Sequence, residues 1–204
     1  MPSLTRNSTL AFALACACGL PSTAFAQTGG EPTEVASDPG QTGGTVFTPP
    51  PPPPKRAKID ANGYAIAPAS APLAVKRMIE AGNMIVGKPY RYGGGHKPYA
   101  RSSSKGRRSV VLDSGYDCSG SISFALYGAR LLKSPLDSRS FASWGLEGPG
   151  RWVTVYTNPG HAYIVIAGLR FDTSMRDDPS RTGPGWSKRL RRSNSFVARH
   201  PRSL

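Results

Sequence analysis

Two very short connections near the middle of the chain constrain its fold more than any other feature. Residues 151–157 (Arg-Trp-Val-Thr-Val-Tyr-Thr) are β-branched and aromatic almost throughout, and Asn158-Pro159-Gly160 follows as a turn. A second apolar run, residues 161–167, ends at Gly168, and Leu169-Arg170-Phe171-Asp172 comes straight after it. Strands joined by connections this short must run antiparallel. Upstream the periodicity changes. Leu73, Ala74, Met78, Ile79, Ala81 and Ile85 recur at core-facing helical spacing, which predicts a helix over 72–86 with Pro72 in its first turn and Gly87 and Pro89 as stops. Ile122, Phe124, Ala125, Leu126 and Ala129 suit a second, mostly buried helix of about three turns. Residues 97–109 are basic and Ser-rich and read as an exposed loop. Residues 133–150 are irregular, Gly183-Pro184-Gly185-Trp186 belongs to an Arg-rich tail, and 196–200 can add a last strand. Helices first and a small antiparallel meander after them define an α+β fold.

The second helix opens at Gly115-Tyr116-Asp117-Cys118-Ser119-Gly120. Asp117 is a plausible N-cap there, which puts Cys118 in the first turn. Unpaired N–H groups and the positive end of the helix dipole favour thiolate over thiol at such a position, and thiolate is the nucleophilic form. The small residues Ser119, Gly120 and Ser121 leave room for a substrate chain to approach the sulfur. A buried structural cysteine is the alternative for a lone thiol.

The N-terminus bears on that choice. Residues 1–26 carry one basic residue, Arg6, an apolar run from Leu10 to Leu20, and Ala24-Phe25-Ala26 before Gln27, the pattern of a secretory signal peptide. The apolar run is about half of what a bilayer span needs, so no transmembrane segment is expected. Cys16 and Cys18 have Ala, not Leu, three residues earlier, which argues against a lipid anchor. Cleavage after Ala26 leaves Cys118 as the sole thiol of an exported chain, a candidate for a reactive cysteine. Residues 27–56 form a Gly/Thr/Pro-rich linker with six consecutive prolines, Pro49 to Pro54, a tract that favours an extended polyproline helix. A single domain over 57–204 is expected after it.

The net charge of +14 belongs to that domain, because 23 of the 26 Lys and Arg and 9 of the 12 Asp and Glu lie from Ala57 onward. Such a surface seeks a polyanion. Outside the membrane, anionic cell-wall polymers, acidic lipid headgroups or acidic peptides are the expected partners; nucleic acid rests on charge alone and conflicts with export.

A cysteine nucleophile needs a base within hydrogen-bond reach and a third group to hold that base. The histidines are His96, His161 and His200. His161 starts a strand just after a Pro-Gly turn, so its ring is expected at the end of the sheet. Asp172, eleven residues later, returns beside it across the next connection.

These blocks together resemble the NlpC-type cell-wall peptidase family, papain-like cysteine enzymes that cut peptidoglycan stem peptides. The resemblance spans about residue 79 to 174. It rests on Gly87-Lys88-Pro89-Tyr90-Arg91-Tyr92-Gly93-Gly94, on the Gly115–Gly120 nucleophile block, on Gly160-His161-Ala162-Tyr163-Ile164-Val165-Ile166 and on Phe171-Asp172-Thr173-Ser174. It implies a papain-like arrangement with Cys118 as nucleophile, His161 as base and then acid, and Asp172 as orienting group. It further implies that Tyr90 helps hold the oxyanion, that Asp117 and Ser119 line the acyl side of the cleft, and that a monomer acts on peptidoglycan with neither cofactor nor metal. The sequence departs from the family in having Asp at the third position, where His, Asn or Gln is common, and a longer segment between His96 and Tyr116. A binding module that keeps the cleft without turnover remains the alternative; a metal site built from Cys118, His161, Asp172 and another histidine is a third reading, though its spacing resembles no compact zinc pattern.

Overall fold

The structure is a computed structural model that describes residues 52–97, 99, 101–102, 109–174 and 182–204. The expected leader and all but the end of the linker lie outside the described residues. Packing begins at Ala57, which is buried and donates its N–H to the Ala167 carbonyl at 2.8 Å. A small hairpin, β1 (Lys58–Ile59) with β2 (Ala65–Ile66), leads into helix α1 (Leu73–Ile85).

Helix α1 buries Val75, Met78, Ile79, Gly82 and Ile85, which recur at three- and four-residue spacing on one face. Leu73, expected in the core, is 60% exposed. It precedes Val75 by two residues, about 200° around the helix, and so falls on the opposite side. Gly87 ends the helix at φ 82°.

In the basic segment after His96, the described residues take part in pairing and packing. Two-residue strands β3 (Arg101–Ser102) and β4 (Ser109–Val110) pair antiparallel. The Tyr99 ring stacks on Tyr127 at 4.1 Å and meets Phe124 edge-on at 5.8 Å, anchoring this segment to helix α2 (Cys118–Gly128). Helix α2 is buried along Ser119–Leu126 because α1 covers one side and the sheet the other. An added Cβ on Gly128 would come within 2.4 Å of the Ala81 Cβ, so the glycine sets how closely the two helices approach.

The sheet begins, after a short 3₁₀ turn (Ser140–Ser143), with β5 (Leu146–Glu147). The expected meander follows as β6 (Val153–Asn158), β7 (His161–Ile166) and β8 (Leu169–Ser174), paired antiparallel with Asn158 opposite His161 and Ile166 opposite Leu169. Two further strands complete it: β9 (Thr182–Ser187) and β10 (Val197–His200), in the spatial order β5-β10-β6-β7-β8-β9. The expected last strand therefore exists, inserted between β5 and β6. Strand β9 runs through Gly183-Pro184-Gly185, which read as tail. A proline removes one ladder donor, and β9 tolerates it as an edge strand with only β8 beside it. Two helices against this sheet make the fold α+β, as the order of elements predicts.

Asn83 joins three of these pieces. Its amide bonds the N–H and C=O of Ala65 in β2 at 3.0 and 2.9 Å and accepts the Trp186 indole N–H of β9 at 2.8 Å. Replacing Asn83 by Ala strands two donors and one acceptor in a partly buried place, with an expected cost of about 2 kcal/mol. Urea denaturation of the variant measures it; an unchanged midpoint contradicts this role.

Candidate active site

The glycine-rich block and the nucleophile block form one backbone clasp. Tyr90 and Tyr116 make an isolated parallel bridge, with the Tyr116 N–H donating to Pro89 at 3.1 Å and the Arg91 N–H to Tyr116 at 3.2 Å. The Asp117 N–H donates to the Gly94 carbonyl at 3.1 Å. A Cβ on Gly120 would lie 2.1 Å from the Gly94 oxygen, and one on Gly94 2.3 Å from the Gly115 oxygen, so both chains must be bare to meet. This contact gives the two sequence blocks a shared physical reason to be glycine-rich.

Asp117 caps α2 as expected, accepting from the Gly120 N–H at 2.7 Å through Oδ1. The same carboxylate accepts the Gly93 N–H at 3.0 Å, the Ser119 hydroxyl at 3.2 Å and the His96 ring at 2.9 Å. Burial opposes its ionisation, but the His96 contact and the two backbone donors outweigh that and hold its pKa below the usual carboxylate range. The hydrogen bond that His96 donates to Asp117 in turn raises the pKa of His96. Asp117 and Ser119 are both nearly buried and adjoin Cys118.

Cys118 opens α2, is partly exposed, and is a free thiol. His161 opens β7, where the Asn158 side chain receives the Gly160 and His161 N–H groups at 3.0 and 2.8 Å and fixes the turn before the ring. The His161 Nε2 and Asp172 Oδ1 are 2.9 Å apart. With Nε2 held by the carboxylate, Nδ1 is the ring nitrogen left for the thiol. Burial pushes the Cys118 thiol up, yet its hydrogen bonds to His161 and the Ala162 backbone, with the charge of His161, bring its pKa below the ordinary value. Burial likewise works against the His161 cation; hydrogen bonds to Asp172 and Cys118 and their charges prevail and raise its pKa to about 9. Both shifts move the pair towards thiolate and imidazolium. The structure thus brings Cys118, His161 and Asp172 together.

The Tyr90 hydroxyl belongs to the same neighbourhood. Desolvation, then the negative charges of Cys118 and Asp117, raise its pKa, and the ring is 46% exposed at the edge of the site.

Two arginines beside Asp172 escaped the sequence reading. The Asp172 side chain is fully buried, with Arg191 Nη1 at 3.0 Å and Arg170 Nε at 3.5 Å from its Oδ2, and the Ser174 N–H at 3.0 Å from Oδ1. Burial opposes its charge, and His161, Ser174 and Arg191 hold its pKa below the usual range. Arg191 Nη1 also stands 3.0 Å from His161 Nε2. The guanidinium lies over the Tyr163 and Phe196 rings at 5.6 and 5.9 Å, which fixes its position. Arg191 sits in a run of basic residues with no periodic pattern, so nothing local marked it. Arg170 alternates with Phe171 along a strand, and its burial follows only from the sheet's position. Among the described residues, no group of three or more His, Cys, Asp or Glu is placed to hold a metal ion, and no helix is long and apolar enough to cross a membrane.

No family model matches the chain, and no curated protein matches it. Solved structures with some similarity include the peptidoglycan hydrolase RipB from Mycobacterium tuberculosis (23% identity over 66% of this chain and 68% of that one, TM-score 0.43). RipD from the same organism, a non-catalytic NlpC/p60 domain protein, has 22% identity over 66% of this chain and all 100% of its own, with a TM-score of 0.43. The P60 domain of an M. avium paratuberculosis antigen has 19% identity over 64% of this chain and 93% of that one, with the same TM-score of 0.43. Likeness at this level assigns no activity.

The geometry predicts how His161 titrates. Its ring should lose its proton near pH 9 in the wild-type chain, and Asp172→Asn should lower that value by about one unit or more, because a carboxylate stabilises the cation better than an amide. Histidine ring resonances followed by NMR across pH 5 to 10 measure the shift. An identical titration in both proteins contradicts the assigned contact.

Proposed function

We propose that this chain is a secreted cysteine peptidase that hydrolyses peptide bonds in peptidoglycan stem peptides, of the D,L-endopeptidase type, in cell-wall remodelling or lysis. One observation carries the reading: a cysteine at a helix N-terminus, with its pKa lowered by a histidine that is itself clamped on a buried aspartate. The motif resemblance supplies the substrate class, and the exported, basic character of the sequence agrees with a wall substrate.

In this mechanism the Cys118 thiolate attacks the scissile carbonyl carbon while His161 holds the proton at Nδ1. The oxyanion that forms is met by the Cys118 backbone N–H, unpaired at the start of the helix, and by the Tyr90 hydroxyl; donors preorganised in this way are usually worth about 3 kcal/mol. His161 then delivers its proton to the leaving amine, and the C–N bond breaks to leave a thioester. Water, deprotonated by His161, attacks the thioester and releases the carboxylate and the thiol's conjugate base. Asp172 keeps Nε2–H directed at itself throughout, and Asp117 and Ser119 shape the acyl side of the cleft. No cofactor or metal enters any step. The signal peptide ending at Ala26 would place the mature chain outside the cytoplasm, in the wall or periplasm, as a monomer, with the polyproline linker holding the domain away from its N-terminus.

Variants at the three positions should lose unequal amounts of activity on isolated peptidoglycan, with released fragments identified by mass spectrometry. Cys118→Ala and Cys118→Ser should abolish release, and His161→Ala should fall as far, since nucleophile and base act as one unit. Asp172→Asn should keep partial activity, with its basic limb moved to lower pH. Wild-type protein that binds peptidoglycan without releasing fragments would instead establish the binding-module alternative, and turnover by Cys118→Ala would refute the nucleophile.

A basic domain should also bind purified wall in a salt-dependent way. Binding is expected to weaken steeply above about 0.15 M salt, where the screening length is roughly 8 Å. Salt-insensitive binding would contradict an electrostatic association with anionic wall polymers.

A further inference from the structure

Asp117 serves two ends that conflict. Its carboxylate caps α2, with the Gly120 N–H on Oδ1 at 2.7 Å and the Gly93 N–H on Oδ2 at 3.0 Å. The next residue in the chain is Cys118. A charged cap one residue from the sulfur is a second negative charge beside a thiolate, and like charges at close quarters oppose ionisation. Burial first, and then the charge of Asp117, work against loss of the Cys118 proton. An Asn or Ser cap would hold the helix start without that opposing charge.

His96 meets this conflict, and the proposed mechanism leaves it unused. Its Nε2 lies 2.9 Å from Asp117 Oδ1 and 3.2 Å from the Ser119 hydroxyl. The Asp117 carboxylate thus meets two backbone N–H groups, a hydroxyl and an imidazole, and of these only the imidazole can carry a charge. His96 follows the glycine-rich segment, which the Gly94–Asp117 backbone bond fastens to the nucleophile block. The groups that face His96 are Asp117 and Ser119 at the start of α2 and Asp137 ahead of the 3₁₀ turn; the neighbouring Lys97 pairs with Asp113 at 3.8 Å. Those that face Cys118 are His161 and the Ala162 backbone on β7, with Asp117 and Tyr90. The hydrogen bond to Asp117 raises the pKa of His96 above its ordinary value; burial pulls it back, and the charges of Asp117 and Asp137 add to the rise.

We propose that His96 is a positioning residue for the nucleophile: as a cation on Asp117 it cancels the field of that carboxylate at Cys118, and without its proton the carboxylate opposes the thiolate in full. Two histidines then favour the thiolate, His161 by direct contact and His96 through the helix cap. While His96 holds its proton, Cys118 ionises more readily. As pH rises through the folded value of His96, which lies above the ordinary one, that help is lost. The purpose of the arrangement rests on the reading of Cys118 as nucleophile, but the coupling itself requires no turnover.

The test uses the full chain and iodoacetamide, with addition to the Cys118 peptide followed by mass spectrometry from pH 5 to 9. His96→Gln keeps an N–H for Asp117 and removes the charge. It should move the midpoint of the alkylation profile up by about half a unit, which is about threefold less thiolate on the acid side. Asp117→Asn keeps a side chain that caps helices, and in that background the same His96 substitution should lose most of its effect, a result that a merely structural role would not produce. Thermal melting checks the fold of each variant. Where a variant does not fold, the reverse measurement on wild type decides. Coupling is reciprocal, so alkylation of Cys118 should lower the pH at which the His96 ring titrates by NMR, and an indifferent ring overturns the proposal. An unchanged profile in folded His96→Gln, or a shift that survives whole in the Asp117→Asn background, overturns it as well. A thiol that is acidic in wild type but indifferent to His96 sinks this coupling and leaves the nucleophile reading standing. A thiol that ionises only near about 8.5 yet responds to His96 through Asp117 upholds the coupling and removes the nucleophile reading instead.

Discussion

The carboxylate of Asp117 is the point on which the site depends. It caps α2 at Gly120, takes the Gly93 N–H from the glycine-rich block and binds His96, all within 3.0 Å. The glycine-rich segment and the start of the nucleophile helix are thereby fixed to one another. Cys118 follows it directly, so the position of the sulfur is set by the cap. Losing a cap of this kind typically costs about 1 kcal/mol. Here the carboxylate also closes a buried network, and the backbone contact of Gly94 with Gly120 would have to open with it.

Two acid–histidine pairs flank the sulfur, and their environments differ. His96 meets a carboxylate already occupied by two backbone donors and a hydroxyl, whereas His161 meets one shared with Arg170, Arg191 and Ser174. Asp172 thus supports the His161 cation while being itself neutralised from the other side. Arg191 is held over two aromatic rings, so the charge that moderates Asp172 is rigidly placed. The balance of these neighbours leaves His161 strongly basic and Cys118 acidified, the combination that a thiolate–imidazolium pair requires.

The parts of this fold that local chemistry dictates could be read from the sequence. The 3.6-residue pattern located α1 within one residue at each end, and the Asp-Cys boundary located the start of α2. Turn chemistry at Asn158-Pro159-Gly160 and Gly168 specified the β6–β8 meander, and with it the return of Asp172 to His161. The features that were missed are those decided by distant partners. Gly183-Pro184-Gly185 has no strand propensity, yet β8 and the Trp186–Asn83 bond hold it extended. Tyr99 looked like loop until Tyr127 and Phe124 received it. Arg191 reaches the site across nineteen residues from Asp172, a distance that no period or spacing records.

The central claim is that Cys118 is held as a thiolate by His161, and alkylation of Cys118 tests it most directly. The rate of iodoacetamide addition to the Cys118 peptide, read by mass spectrometry across pH 5 to 9, should stay high at pH 6, well below the ordinary thiol range near about 8.5. In His161→Ala the rate at pH 6 should fall at least about tenfold, since a unit of pKa is a factor of about ten in thiolate. A wild-type profile that rises only around pH 8.5 and is unchanged in His161→Ala would contradict the account.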